Sequence, residues 1–116
     1  MGFEELDVWK VAIEFVKDAY RLTRAFPDEE RFGLVSQIKR AAVSIPSNIA
    51  EGSGRKTGKD FDHFLSIAFG SVNELITLLI VAEEQGFLNE DDFKHLREQL
   101  KRISQMLSRL SNSIQH

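Results

Sequence analysis

In the last part of the chain, apolar residues fall at Leu96, Leu100, Ile103, Leu107, Leu110 and Ile114, spaced 4, 3, 4, 3 and 4. Only an α-helix brings such positions to one side, and a repeat near 3.5 is that of a helix lying along other helices. The same spacing recurs upstream, and no period-two alternation competes with it. Helix 1 runs from Leu6 to about Phe26, with a main stripe of Leu6, Trp9, Ile13, Val16 and Tyr20. Pro27 ends it, and Asp28 is expected to cap helix 2, with Glu29 and Glu30 in the favourable first turn. Helix 2 carries Val35, Ile38, Ala42, Ile45 and Ile49, is expected to kink at Pro46, and breaks at Gly52-Ser53-Gly54. Thr57 with Asp60 opens helix 3, whose stripe is Phe61, Leu65, Ala68, Val72, Leu75, Leu79 and Ala82. Gly86 closes helix 3, and Asn89 with Asp92 opens helix 4.

Four helices joined by short turns predict an all-α fold, an antiparallel up-down-up-down four-helix bundle forming a single domain over residues 1–116. The length of 116 residues suits one core and leaves no room for a second domain. The absence of cysteine excludes a disulfide framework, a thiolate metal site and a cysteine nucleophile, and fits a reducing compartment. The longest mostly apolar run, Leu75 to Ala82, is too short to span a bilayer, and the acidic start (Glu4, Glu5) is unlike a signal peptide. No membrane association is expected, and the expected location is cytoplasmic.

The apolar surface exceeds what one bundle core takes up. Helix 1 has a second stripe, Val8, Ala12, Phe15, Ala19, Leu22 and Phe26, a quarter turn or more from the first. Helix 3 is apolar nearly all round from Leu75 to Ala82, with Phe64, Ile67 and Phe69 off its stripe. In so short a chain the natural cover is another copy, so a homo-oligomer is expected.

Catalytic constellations are sparse. Asp60 with His63, and Asp92 with His95, each pair a carboxylate with an imidazole at i, i+3. Bundle di-metal sites use such pairs, but these open two antiparallel helices and so lie about 40 Å apart. Neither a nucleophile elbow nor a Gly-rich phosphate loop is present. The sequence therefore predicts no enzyme, no metal and no cofactor. A row of polar residues on helix 2, Gln37, Ala41, Ser44, Asn48 and Glu51, borders its apolar stripe, and Gly70, Ser71 and Glu74 on helix 3 are placed to meet it. Ser44, Asn48, Glu51, Ser71 and Glu74 are read as a structural hydrogen-bond network, with a polar pocket as the functional alternative.

Several segments carry a resemblance: Phe3-Glu4-Glu5-Leu6-Asp7-Val8-Trp9, Phe26-Pro27, Gln37 through Ala42, Ser44-Ile45-Pro46-Ser47-Asn48-Ile49-Ala50-Glu51-Gly52, and Ala68 through Leu75. Together they resemble the small four-helix-bundle proteins encoded within intervening sequences of bacterial 23S rRNA genes. The resemblance implies a homo-oligomer, a five-fold ring being favoured, and supplies no catalytic residues. The chain is also similar to the accessory protein of diversity-generating retroelements, a ring-forming bundle that binds nucleic acid and a reverse transcriptase. Such partners, RNA or DNA and a reverse transcriptase, are what the resemblance implies.

Charge decides where nucleic acid could bind. The net charge is −3, but residues 1–30 carry −4, 31–59 carry +5, 60–96 carry −7 and 97–116 carry +3. Phosphates demand cations, so Lys39, Arg40, Arg55, Lys56 and Lys59 are the candidate nucleic-acid-binding residues, acting by salt-sensitive phosphate contact with RNA more than DNA. The alternative is a protein–protein scaffold with no nucleic-acid role, docking a partner such as a polymerase.

Overall fold

The structure, a computed structural model, describes residues 2–114. Met1, Gln115, His116 and the side chain of Glu5 lie outside the described residues, so the domain predicted over 1–116 is described without its ends. Four helices make the fold: α1 (Asp7–Thr23), α2 (Leu34–Ser53), α3 (Gly58–Glu84) and α4 (Glu90–Ser113). Short 3₁₀ turns at Phe3–Glu5 and Asp28–Glu30 precede α1 and α2, and no strand occurs among the described residues.

Each helix packs against the next and α1 closes the square against α4, while the diagonals α1/α3 and α2/α4 do not touch among the described residues. Side-chain pairs fix the directions. Asp18, late in α1, meets His95, early in α4; Asp62, early in α3, meets Ser111, late in α4; Gly52, late in α2, sits against Phe61, early in α3; and Tyr20, late in α1, lies beneath Lys39, early in α2. Neighbours are therefore antiparallel, in a rod 44 × 24 × 20 Å.

The apolar spacing of α2, α3 and α4 maps onto the core: Ile38, Ile45, Ile49, Leu65, Leu75, Leu79, Leu96, Leu100, Ile103 and Leu107 are almost fully buried. In α1 the order of the two stripes is reversed from expectation. Val8, Ala12, Phe15 and Ala19 are buried, while Trp9, Ile13 and Val16 are half-buried and Tyr20 is exposed. The larger side chains are the outer ones because Ala12 and Ala19 let α1 approach its neighbours closely, with Phe15 alone filling the centre.

Helix 1 stops at Thr23 rather than Phe26. The Thr23 hydroxyl donates to the carbonyl of Ala19 at 2.8 Å, and three successive i→i−3 bonds follow up to Phe26. Pro27 then holds Phe26 out of the helical region. Asp28 does not cap α2: it starts its own 3₁₀ turn, and α2 begins six residues later after Gly33. The α2 helix passes through the buried Pro46 without ending. Thr57 Oγ1 accepts from the backbone N–H of Asp60 at 3.1 Å, and Asn89 Oδ1 from that of Asp92 at 2.8 Å, so both predicted caps form. At the far end of α3, Gly86 takes φ +80°. The N–H groups of Gly86 and Phe87 donate to the carbonyls of Glu83 and Ala82, a Schellman closure that needs the left-handed glycine. Length and composition alone would let α3 cross a membrane; in the bundle its stripe from Leu65 to Ala82 lines the core.

Candidate functional site

The predicted polar row divides. Asn48 Nδ2 donates to the carbonyl of Ser44 at 2.8 Å and to Ser44 Oγ at 3.0 Å. Ser44 Oγ and Ser71 Oγ lie 2.8 Å apart, and Ser71 Oγ donates to the carbonyl of Ile67 at 3.3 Å. With Ser71 donating onward and Ser44 accepting from Asn48, the shared proton belongs to Ser44: a directed relay from α2 to α3. Glu51 and Glu74 stay outside it. Glu51 is exposed and binds Arg55 at 3.0 Å. Glu74 is exposed and lines a cleft of about 330 Å³ between α2 and α3, opposite Arg40 and above the two serines. Gly70, expected to let the helices approach, faces away, and a Cβ there would meet nothing within 4 Å.

Close approach is supplied instead by Gly52. A Cβ at this buried position would lie 2.8 Å from both Phe61 Cδ1 and Phe64 Cβ. Gly52 is thus a packing residue. Gly54, the helix cap, keeps an ordinary φ of −87° and makes no use of the left-handed region.

The five candidate cations also divide. Lys39, half-buried, lies 4.8 Å from the ring centroid of Tyr20 on the α1 side of α2. Arg40 points to the other side, into the cleft. Sixteen residues on, roughly 24 Å along the helix, Arg55, Lys56 and Lys59 cluster at the exposed α2–α3 turn. Arg55 is held by Glu51 and stacks 4.6 Å from the Phe64 ring, while Lys56 and Lys59 form no ion pair among the described residues. The acidic residues Asp28, Glu29, Glu30, Glu83, Glu84, Glu90, Asp91 and Asp92 belong to the turns at the opposite end. Among the described residues no group of three or more His, Asp or Glu is placed to hold a metal ion.

A polar cluster the sequence did not disclose joins α1 to α4. Asp18 Oδ2 accepts from Gln99 Nε2 at 2.9 Å and lies 2.9 Å from His95 Nε2. His95 is therefore engaged across the bundle and not with Asp92, the sequence neighbour. Burial raises the Asp18 pKa, but hydrogen bonds from His95, Gln99 and Arg21 and the charge of His95 outweigh it, leaving the carboxyl below its ordinary value. Asp18 gave a signal of a kind: it interrupts the α4-facing side of α1 between Val11 and Leu22.

The sequence model of a family described as 23S rRNA-intervening sequence protein matches residues 4–109. The chain belongs to this family. A solved structure of a protein of unknown function from the S23 ribosomal protein family of Bacteroides thetaiotaomicron has the same fold. Its TM-score is 0.84 at 22% identity, covering 91% of this chain and 96% of that one. No curated protein matches the chain. The family assignment agrees with the motif resemblance, and the match runs through every helix, the candidate turn included.

Proposed function

We propose that this 23S rRNA-intervening sequence protein is a non-enzymatic, cytoplasmic homo-oligomer that binds nucleic acid, RNA more than DNA, by phosphate contact. One observation carries the reading: Arg55, Lys56 and Lys59 share one exposed turn, two of them without ion pairs, while the acidic turns lie at the other end of the rod. The turn presents phosphate with a local cluster of cations, at an end of the rod that also carries Glu4, Asp7, Asp60 and Asp62. The aromatic residues support backbone contact over base reading. Phe61 and Phe64 are half-buried beneath the turn and offer no open stacking platform. Lys39 and Arg40, at mid-height, are secondary contacts.

The test is fluorescence anisotropy with a structured RNA across a salt series. Binding should weaken steeply with salt, since each phosphate neutralised steepens the slope by about 0.7 to 0.9. Lys56→Glu with Lys59→Glu should remove binding without changing the assembled mass, and Lys39→Glu with Arg40→Glu should weaken it. Binding indifferent to salt and to both double variants refutes the reading.

A second reading, a protein–protein scaffold, has its own observation. Phe32 is 88% exposed beside the acidic turn, with the Arg31 guanidinium 5.3 Å from its ring. An association that survives nuclease and fails in Phe32→Ser would favour it.

A further inference from the structure

Two stripes lie outside the fully buried core, the one on α1 still resting partly on it through Trp9 and Val16. On α1, Trp9, Ile13, Val16 and Tyr20 are spaced 4, 3, 4 and run from half-buried to exposed. On α3, Ile67, Gly70, Glu74, Thr77 and Val81 are spaced 3, 4, 3, 4, and all five are exposed. Such spacing keeps one seam of a helix against a partner helix over several turns. The stripes sit on diagonal helices that do not touch among the described residues, so within one chain neither can cover the other.

Gly70 sharpens the point. A glycine inside a helix costs about 1 kcal/mol relative to alanine. Here φ is not positive and a Cβ would meet nothing within 4 Å, so the subunit fold has no use for it. A bare backbone on an exposed seam admits a bulky side chain from outside. The α1 stripe is bulky, and the α3 stripe is bare at Gly70. Charge matches as well. At 100° per residue, Lys10, Lys17 and Arg24 flank the outer side of the α1 stripe, while Asp7, Glu14 and Asp18 lie beyond them on the opposite, α4-facing side of the helix. Lys17 is shared with Glu14. The α3 stripe carries Glu74, which forms no ion pair among the described residues, in a helix with five acids and one lysine.

We propose that the α1 stripe of one copy packs into the α3 stripe of the next, with Tyr20 and Ile13 as knobs and Gly70 in the receiving hole. The inference rests on the homo-oligomer proposed above and names the faces that make it. Because the two patches differ, the contact is heterologous: each copy offers α1 to one neighbour and α3 to another.

The experiment is light scattering on wild type, Gly70→Trp, Tyr20→Asp and an equimolar mixture of the two variants, with circular dichroism to verify helicity. Val81→Arg strikes the same α3 stripe should Gly70→Trp fold poorly. Each variant keeps one intact patch. Each alone should fall to the monomer mass of 13.2 kDa, and the mixture should form dimers, since one variant's α1 stripe meets the other's intact α3 stripe. Variants that stay assembled, or two monomeric variants that ignore one another when mixed, overturn the inference and leave the oligomer standing. A monomeric wild type overturns both. Loss of RNA binding alone touches only the nucleic-acid reading.

Discussion

Gly52 and Gly54 are two residues apart at the end of α2, yet alanine should act on them in opposite directions. In helix propensity alone, Gly52→Ala gains about 1 kcal/mol. Against this, the new methyl would lie 2.8 Å from Phe61 Cδ1 and Phe64 Cβ and 3.2 Å from the Phe61 carbonyl oxygen. A ring carbon can swing aside, but a Cβ and a carbonyl are fixed to the backbone of α3. Relief therefore requires α2 and α3 to separate by several tenths of an ångström, loosening the core to which Ile45 and Ile49 of α2 and Leu65 and Ala68 of α3 belong. Overpacking of this kind costs about 1–3 kcal/mol, more when backbone must move. Because the clash is with backbone-fixed atoms, the upper part of that range applies, about 2–3 kcal/mol, and after the propensity gain a net loss of about 1–2 kcal/mol follows. With about 2.1 cal/mol/K of unfolding entropy per residue, that lowers Tm by roughly 4–8 °C in a chain of this size. At Gly54 the nearest atom to a new Cβ is the Glu51 carbonyl oxygen at 3.7 Å, and φ is −87°. Gly54→Ala should then be neutral or stabilising by up to about 1 kcal/mol, through a less flexible unfolded chain. Urea unfolding at fixed protein concentration measures both. A Gly52→Ala variant as stable as wild type would show that α2 and α3 are not in close contact at this point.

Two further predictions test the polar contacts. Asp18 is held below the unfolded carboxylate value of about 3.9, so its contribution is full above that value and is lost as pH falls through the lower folded one. Asp18→Asn should cost about 1–2 kcal/mol at neutral pH and flatten the acid limb of the stability curve; an unchanged acid limb refutes the assignment. Ser44→Ala should cost only about 1 kcal/mol, because Asn48 and Ser71 each keep a backbone acceptor. The Ser44→Ala, Ser71→Ala double variant should lose less than the sum of the single losses, and strict additivity in a double-mutant cycle would exclude the relay.

What the sequence disclosed and what it concealed follow one division. Periodicity within a helix is a local property, so the stripes of α2, α3 and α4 and the caps at Thr57 and Asn89 are legible from spacing alone. Choosing between the two stripes of α1 is not local. Trp9, Ile13, Val16 and Tyr20 are the greasier set, but Ala12 and Ala19 win the core because they let helices approach. The same limit governs the polar groups. Ser44 and Asn48 are i, i+4 partners visible in one helix, and Ser71 was within reach of inference. The contacts of Asp18 with His95 and Gln99 join the first and last quarters of the chain, and no spacing rule reports them. Gly52 and Gly70 show the difficulty at its plainest: the glycine at the helix end serves packing, and the one expected to serve packing faces outward.

The two proposals make different demands on the same cations, and the geometry sorts them. Lys39 lies over Tyr20, a knob of the α1 stripe, so assembly through that stripe draws Lys39 into or beside the contact. Arg40 faces the α2–α3 cleft opposite Glu74, a member of the receiving stripe. Both mid-height cations are then committed to the neighbourhood of subunit contacts, where desolvation and nearby Glu74 reduce their hold on phosphate. Lys56 and Lys59 stand at the end of the rod, off both stripes. Each copy added to an assembly therefore brings another free turn cluster into one array. Linked weak phosphate contacts act at high effective concentration, so affinity should rise with the number of copies far more than any single turn could supply. On this geometry, a monomeric Gly70→Trp variant keeps Lys56 and Lys59 intact but binds RNA much more weakly than wild type. Equal affinity in the two would separate the cationic turn from the assembly and leave each proposal to stand alone.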